Sequence, residues 1–129
     1  MSALSVISVI DDDASVRTAI DNLLGSHGYL VQTFESAEEF LQSTHLDHPL
    51  CVIADVQMSA MSGLDLLTHM RTRDYNAPFI FITAFPEESV RARALKAGAI
   101  CFLAKPFAAS ALINCVETAV NRHRSGSCK

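Results

Sequence analysis

Five short apolar runs punctuate the chain, and between them lie stretches in which apolar residues recur at every third or fourth position. The first run, residues 5–10, is rich in Val and Ile and stops at Asp11-Asp12-Asp13, which reads as a buried strand ended by charge. Val16, Ile20, Leu23 and Leu24 follow at helical spacing, with Asp13 expected as N-cap and Gly28 as terminator. Residues 29–34 predict a second strand. Ser36-Ala37-Glu38-Glu39 then has the spacing of a capping box and opens a short helix to about Ser43. A third strand at 50–54 ends on Asp55. A loop containing Ser62-Gly63 follows, then a helix carrying Leu64, Leu67 and Met70. Residues 78–83 predict the fourth strand, and 87–97 a helix stopped by Gly98. The fifth strand, 100–104, runs into Lys105-Pro106 and a last helix bearing Leu112, Val116 and Val120; the polar tail from Asn121 is expected to fray.

Strands that alternate with amphipathic helices through a whole chain imply βαβ units, and right-handed crossovers place the helices on both faces of a parallel sheet. The expected fold is therefore a doubly wound α/β domain with a five-stranded parallel sheet, flavodoxin-like in its organisation. At 129 residues the chain fits one domain, taken as residues 1–122 with 123–129 as a polar tail. Half the residues are hydrophobic, enough to bury a core that offsets the entropy of ordering. No internal linker, repeat or low-complexity segment interrupts it.

Charge and cysteine usage narrow the function classes. A net charge of −4, without clustered Lys and Arg, argues against a nucleic-acid surface. No apolar run approaches the roughly 20 residues of a membrane span, and the first ten residues lack the basic region of a signal peptide, so a cytoplasmic protein with no membrane contact is expected. The four cysteines, Cys51, Cys101, Cys115 and Cys128, form no Cys-x-x-Cys pair and are read as thiols of a reducing compartment, with Cys51 and Cys101 as small core hydrophobes. His45 and His48 have a ligand-like spacing but no second ligand pair nearby, and are read as solvated loop residues.

In a doubly wound fold the ligand site lies beyond the carboxyl ends of the strands, where strand order reverses. The residues there are Asp11, Asp12 and Asp13 after the first strand, Asp55 after the third, Thr83 closing the fourth and Lys105 after the fifth. Asp13 alone is explained as a helix cap, and a single Asp, Thr or Lys at a strand end is ordinarily a turn or solvated residue. Together they form a set. Phosphoryl transfer to a carboxylate needs a nucleophilic oxygen, a divalent cation and further positive charge and hydrogen-bond donors. Two or three Asp side chains with retained waters suit Mg²⁺. Carboxylates gathered at one edge also repel one another and call for a cation or a function to offset that cost.

Four ordered segments carry a resemblance. Val9-Ile10-Asp11-Asp12-Asp13, the stretch Asp55-Val56-Gln57-Met58-Ser59-Ala60-Met61-Ser62-Gly63, Ile82-Thr83-Ala84 and Lys105-Pro106-Phe107 resemble the motifs of two-component response regulator receiver domains. Asp-Asp-Asp-x-x-Val-Arg and Lys-Ala-Gly-Ala are most similar to the nitrogen-fixation regulator subfamily. The resemblance covers essentially the entire chain. It implies that Asp55 accepts a phosphoryl group from the phosphohistidine of a sensor histidine kinase or phosphotransfer protein. It further implies Mg²⁺ held directly by Asp12, Asp55 and the Gln57 carbonyl and through water by Asp11, Lys105 and Thr83 contacting the phosphoryl group, and Phe102 as the aromatic that swings inward when Thr83 moves. A cis Lys105–Pro106 bond is implied as well. The implied role is a phosphoacceptor signalling domain that promotes its own phosphorylation and dephosphorylation, not an enzyme with a separate substrate. Its output face, formed by the fourth helix, fifth strand and fifth helix around Arg91, Leu95 and Phe102, would meet a homodimer partner or an effector. Ser59-Ala60 departs from the family's usual Pro, which removes a φ constraint from that loop. The resemblance also implies that Gln57 and Phe85 occupy the positions that in the family tune the lifetime of the acyl phosphate.

Three other classes compete. A haloacid-dehalogenase-type phosphatase needs a second Asp two residues beyond the nucleophile, where this chain has Gln57. A flavodoxin needs a hydroxyl- and glycine-rich phosphate loop after the first strand, where three aspartates would repel the ligand. A pseudo-receiver that acts purely by docking usually lacks one of the site residues, and all are present here.

Overall fold

The structure, a computed structural model, describes residues 6–43, 51–58, 61–73 and 77–127. Its order is β1 (Val6–Ile10), α1 (Ala14–Ser26), β2 (Leu30–Phe34), α2 (Ala37–Ser43), β3 (Cys51–Asp55), α3 (Gly63–Arg71), β4 (Phe79–Thr83), α4 (Glu88–Lys96), β5 (Cys101–Ala104) and α5 (Ala109–Ser127). His45, His48, Ser59, Ala60 and Cys128 lie outside the described residues, so the readings of them are not addressed by the structure.

All strand pairings are parallel, in the order β2-β1-β3-β4-β5. The chain leaves β1 toward one edge to make β2 and returns on the other side of β1 to make β3. Strand order thus reverses between β1 and β3, and the crevice beyond their carboxyl ends is the place where such folds bind ligands.

The central strands are predominantly apolar because both faces of the sheet are covered, with Ser8, Asp55 and Thr83 as their buried polar exceptions. Side chains alternate across it with a period of two. Val52, Ala54, Phe79 and Phe81 join Phe40, Leu64, Leu67, Met70 and Ala94 in the core under α2, α3 and α4. Cys51, Ile53, Ile80 and Ile82 join Ile20, Leu24, Leu112 and Val116 under α1 and α5. The edge strands β2 and β5 are far less buried.

Helix starts follow the expected capping chemistry in part. The Asp13 carboxylate accepts from the Ser15 N–H at 2.9 Å and opens α1. Ser36 Oγ accepts from the Glu39 N–H at 3.0 Å, but Glu39 reaches back to the Glu35 N–H at 2.7 Å, one residue before the cap. At α3 the box is complete between Ser62 and Asp65. Gly28 and Gly98 adopt φ of 89° and 113° after α1 and α4, the left-handed region that glycine tolerates best.

Two expectations are corrected. The last helix does not end at Asn121: α5 continues to Ser127. Cys101 and Cys115 are not separate thiols but a disulfide joining β5 to α5. Cys101 is also only half-buried, because β5 is an edge strand, whereas Cys51 is a fully buried free thiol. Among the described residues no helix is long and apolar enough to cross a membrane.

Candidate functional site

Asp11 follows β1 directly, and its backbone N–H donates to the Phe34 carbonyl of β2 at 3.1 Å, continuing the sheet ladder past the strand end. Its carboxylate is fully buried and accepts from the Asp13 N–H at 2.9 Å. Asp55 closes β3, is also buried, and accepts from the Gln57 N–H at 2.9 Å. Asp12 is exposed at the rim. One carboxylate oxygen from each of Asp11, Asp12 and Asp55 lies within 4.8 Å of the other two.

Lys105 follows β5 and reaches inward across the site. Its Nζ sits 3.0 Å from Asp55 Oδ2 and 2.9 Å from Asp11 Oδ2, with the lysine side chain 17% exposed. The cation needed to offset clustered carboxylates is thus partly supplied by the chain itself. Desolvation works against the Lys105 charge, but its hydrogen bonds and proximity to Asp11 and Asp55 outweigh that, and its pKa is raised. At Asp11 the balance goes the other way. Burial pushes its carboxyl above the ordinary value of 3.8, although Lys105 and the Asp13 N–H favour the ionised form. Lys105 Nζ at 2.9 Å is the partner of the buried Asp11 Oδ2, and no further donor reaches that oxygen among the described residues. Hard oxygens in this arrangement fit a divalent cation such as Mg²⁺ or Ca²⁺, and the three carboxylate oxygens gathered within 4.8 Å of one another are the observation that favours one.

Thr83 ends β4 beside Ala104 of β5, with its side chain buried. Its Oγ1 accepts from the Phe85 N–H at 3.1 Å, which leaves the hydroxyl hydrogen available to another acceptor. Phe102 lies opposite Phe81 in the β4–β5 ladder and is half-buried against the core under α2, α3 and α4. Gln57 and Phe85 are exposed at the mouth of the site, Phe85 by 65%. The Lys105–Pro106 bond is cis.

Two supporting residues had no assigned role in the sequence. Arg17 donates from Nη1 to the Asp11 carbonyl at 2.6 Å, bracing the acidic loop from the first turns of α1. Its place six residues beyond Asp11 was visible, but nothing in sequence says that an arginine will turn back to a carbonyl. Gly63 opens α3 against the end of β3, where its N–H donates to the Val56 carbonyl at 2.9 Å. A Cβ there would lie 2.5 Å from the Asp55 carbonyl oxygen and 2.9 Å from Phe81 Cε1.

A sheet that reverses order beside two buried aspartates and a shared lysine defines a protein class, and the sequence comparisons agree: the chain belongs to the response regulator receiver domain family, whose model matches residues 7–117. Members of this family are phosphorylated by kinases, act on effector domains in two-component signalling and bind Mg²⁺ at their acidic pocket. Among relatives, the chain is 39% identical over 123 residues to nodulation protein W of Bradyrhizobium diazoefficiens, covering 95% of this chain and 54% of that protein. It is 34% identical to the transcriptional regulatory protein FixJ of the same organism, covering 95% and 60%. The crystal structure of FixJ-N matches with a TM-score of 0.83 at 30% identity, over 94% of this chain and 96% of that one. The response regulator StyR matches with 0.86 at 37%, over 98% and 66%. The chain spans about half the length of the first curated relatives it matches, 54% and 53%.

Proposed function

We propose that Asp55 is the phosphoacceptor of this receiver domain and that Mg²⁺ is the cation at its acidic site. The observation that carries the reading is the position of Asp55, buried at the strand-order reversal, 3.0 Å from Lys105 Nζ and clustered with Asp11 and Asp12. A phosphohistidine of a sensor histidine kinase or phosphotransfer protein is the donor: an Asp55 carboxylate oxygen bonds to phosphorus, the phosphorus–nitrogen bond breaks, and the imidazole leaves with a proton. Asp11, Asp12, Asp55 and the Gln57 carbonyl are the groups that would hold Mg²⁺. Bound there, it would supply positive charge to offset that on the phosphoryl oxygens. Lys105 supplies a second positive charge, and Thr83 turns its free hydroxyl hydrogen to a phosphoryl oxygen.

Thr83 movement opens space toward which Phe102 turns, and the α4-β5-α5 face around Arg91, Leu95 and Phe102 then changes shape for a second copy or an effector. The domain promotes its own phosphorylation and dephosphorylation and has no separate substrate. It works in the cytoplasm, away from nucleic acid and membrane. Residues 1–122 form the receiver unit and 123–129 a polar extension.

Incubation with acetyl phosphate and Mg²⁺ followed by intact-mass measurement tests the assignment. The wild type is expected to gain about one phosphoryl group and Asp55→Asn none. Equal labelling of the Asn variant overturns it.

A further inference from the structure

The disulfide lies away from the phosphoacceptor site. Cys101 is the first residue of β5, at the opposite end of that strand from Lys105, and Cys115 is in α5, with a Cα–Cα distance of 6.2 Å and a sequence separation of 14. Both side chains belong to the core under α1 and α5. Phe102, the next residue along β5, packs on the opposite side of the sheet, in the core under α2, α3 and α4. The bond therefore fastens an edge strand that carries Phe102 and leads to Lys105 onto the final helix. Without it, β5 is held by one neighbouring strand and by packing.

The two cysteines differ in exposure. Cys101 is half-buried on the edge strand, while Cys115 is 8% exposed. Cys51 offers a contrast within the same fold: it is fully enclosed, and burial pushes its thiol up to about 12, so it has almost no thiolate at neutral pH. A reducing cytoplasm does not keep permanent staples, and disulfides that form there are characteristically transient or redox-sensing.

From these placements we propose that Cys101 and Cys115 form a reversible thiol–disulfide site, oxidised by low-molecular-weight disulfides of the glutathione class, that locks β5 to α5. The choice of a reversible site over a fixed staple rests on the cytoplasmic placement proposed above. In the oxidising direction the more accessible Cys101, as thiolate, attacks one sulfur of the disulfide and releases the first thiol, leaving a mixed disulfide. Cys115, as thiolate, then attacks the Cys101 sulfur and releases the second thiol. The two protein thiols are oxidised, one small disulfide is reduced to two thiols, and the two protons end on those thiols. The reverse exchange reopens the lock.

The test uses the full chain carrying Cys128→Ser, equilibrated in buffers from reduced glutathione alone to predominantly oxidised glutathione. Acid quenching, alkylation under denaturing conditions and intact mass then count thiols. Two thiols are expected to disappear together within the buffered range while Cys51 stays alkylated throughout. Cys101→Ser and Cys115→Ser, each carrying one member of the pair, should show no such two-thiol step. Oxidation should also slow exchange of the globally protected β5 and α5 amides by about a hundredfold, the effect expected for closing a loop of roughly 15 residues. A pair that remains oxidised in reduced glutathione alone is a fixed staple and overturns the proposal. So does a pair that remains dithiol, or stops at the glutathione adduct, in the most oxidising buffer. Unchanged amide exchange between the two forms overturns the lock. None of these readouts uses phosphate or Mg²⁺, so each can fail while the Asp55 assignment stands.

Discussion

Substituting Gly63 by alanine puts the packing beneath the site to a direct test. The added Cβ would lie 2.5 Å from the Asp55 carbonyl oxygen and 2.9 Å from Phe81 Cε1, both inside the separation that real methyl groups keep. Neither neighbour is free to withdraw. The Asp55 carbonyl is backbone of a buried strand, and Phe81 is fully enclosed in the core. The start of α3 must therefore move off β3, stretching the 2.9 Å hydrogen bond from Gly63 to Val56. Overpacking of this kind costs about 1–3 kcal/mol. With an unfolding entropy of about 2.1 cal/mol/K per residue, a chain of 129 residues should lose roughly 4–11 °C in Tm. Gly25→Ala is the matched control, since a Cβ at that helical position meets nothing within 4 Å. It should raise stability by up to about 1 kcal/mol through helix propensity. Paired thermal melts, with phosphorylation by acetyl phosphate as a second readout, should separate the two variants in opposite directions. If Gly63→Ala melts at or above wild type, or both substitutions shift Tm the same way, the contact beneath Asp55 does not constrain the site.

The remaining predictions concern the acids. Because burial raises the Asp11 pKa, its contribution to stability is fully present below pH 3.8 and is lost as pH rises through the raised folded value. Metal-free Asp11→Asn should consequently melt above wild type near pH 7 and lose that advantage below about pH 4, as followed by melts in chelator across pH; a constant difference at every pH refutes this. Mg²⁺ at ten to a hundred times Kd should stabilise the wild type by about 1.4–2.7 kcal/mol. Asp12→Ala, at an exposed position, should change metal-free stability by no more than about 0.5 kcal/mol yet lose most of the Mg²⁺ increment in calorimetry; retention of the full increment removes Asp12 from the metal set.

The fold was legible in the chain because two different periodicities alternate without interruption. The runs at Val6–Ile10, Cys51–Asp55 and Phe79–Thr83 are almost wholly buried and apolar apart from Ser8 and the terminal Asp55 and Thr83, as a sheet covered on both faces requires. Asp13, Ser36, Gly28 and Gly98 marked several helix ends, since capping and left-handed turns depend on neighbours a few residues away, while the Ser62–Asp65 box at α3 went unread. The end of α5 was misplaced, because polar residues after Asn121 do not by themselves stop a helix. Asp11, Asp55, Thr83 and Lys105 could be gathered from the linear order alone, as parallel strands bring their carboxyl ends to one edge.

What linear order could not contain is how side chains from distant segments meet. Lys105 bridging both buried aspartates, Arg17 turning back to the Asp11 carbonyl and the missing Cβ of Gly63 beneath Asp55 depend on strand order and helix docking over separations of up to 94 residues. Cys101 and Cys115 show the same limit, because spacing suggested separate thiols and only the seating of α5 on β5 brought the sulfurs together. Residue type and period determine which elements form and which chemistry reaches the sheet edge. Tertiary packing alone decides which charges are stripped of water and which partner compensates them, because desolvation and contact are properties of the assembled fold.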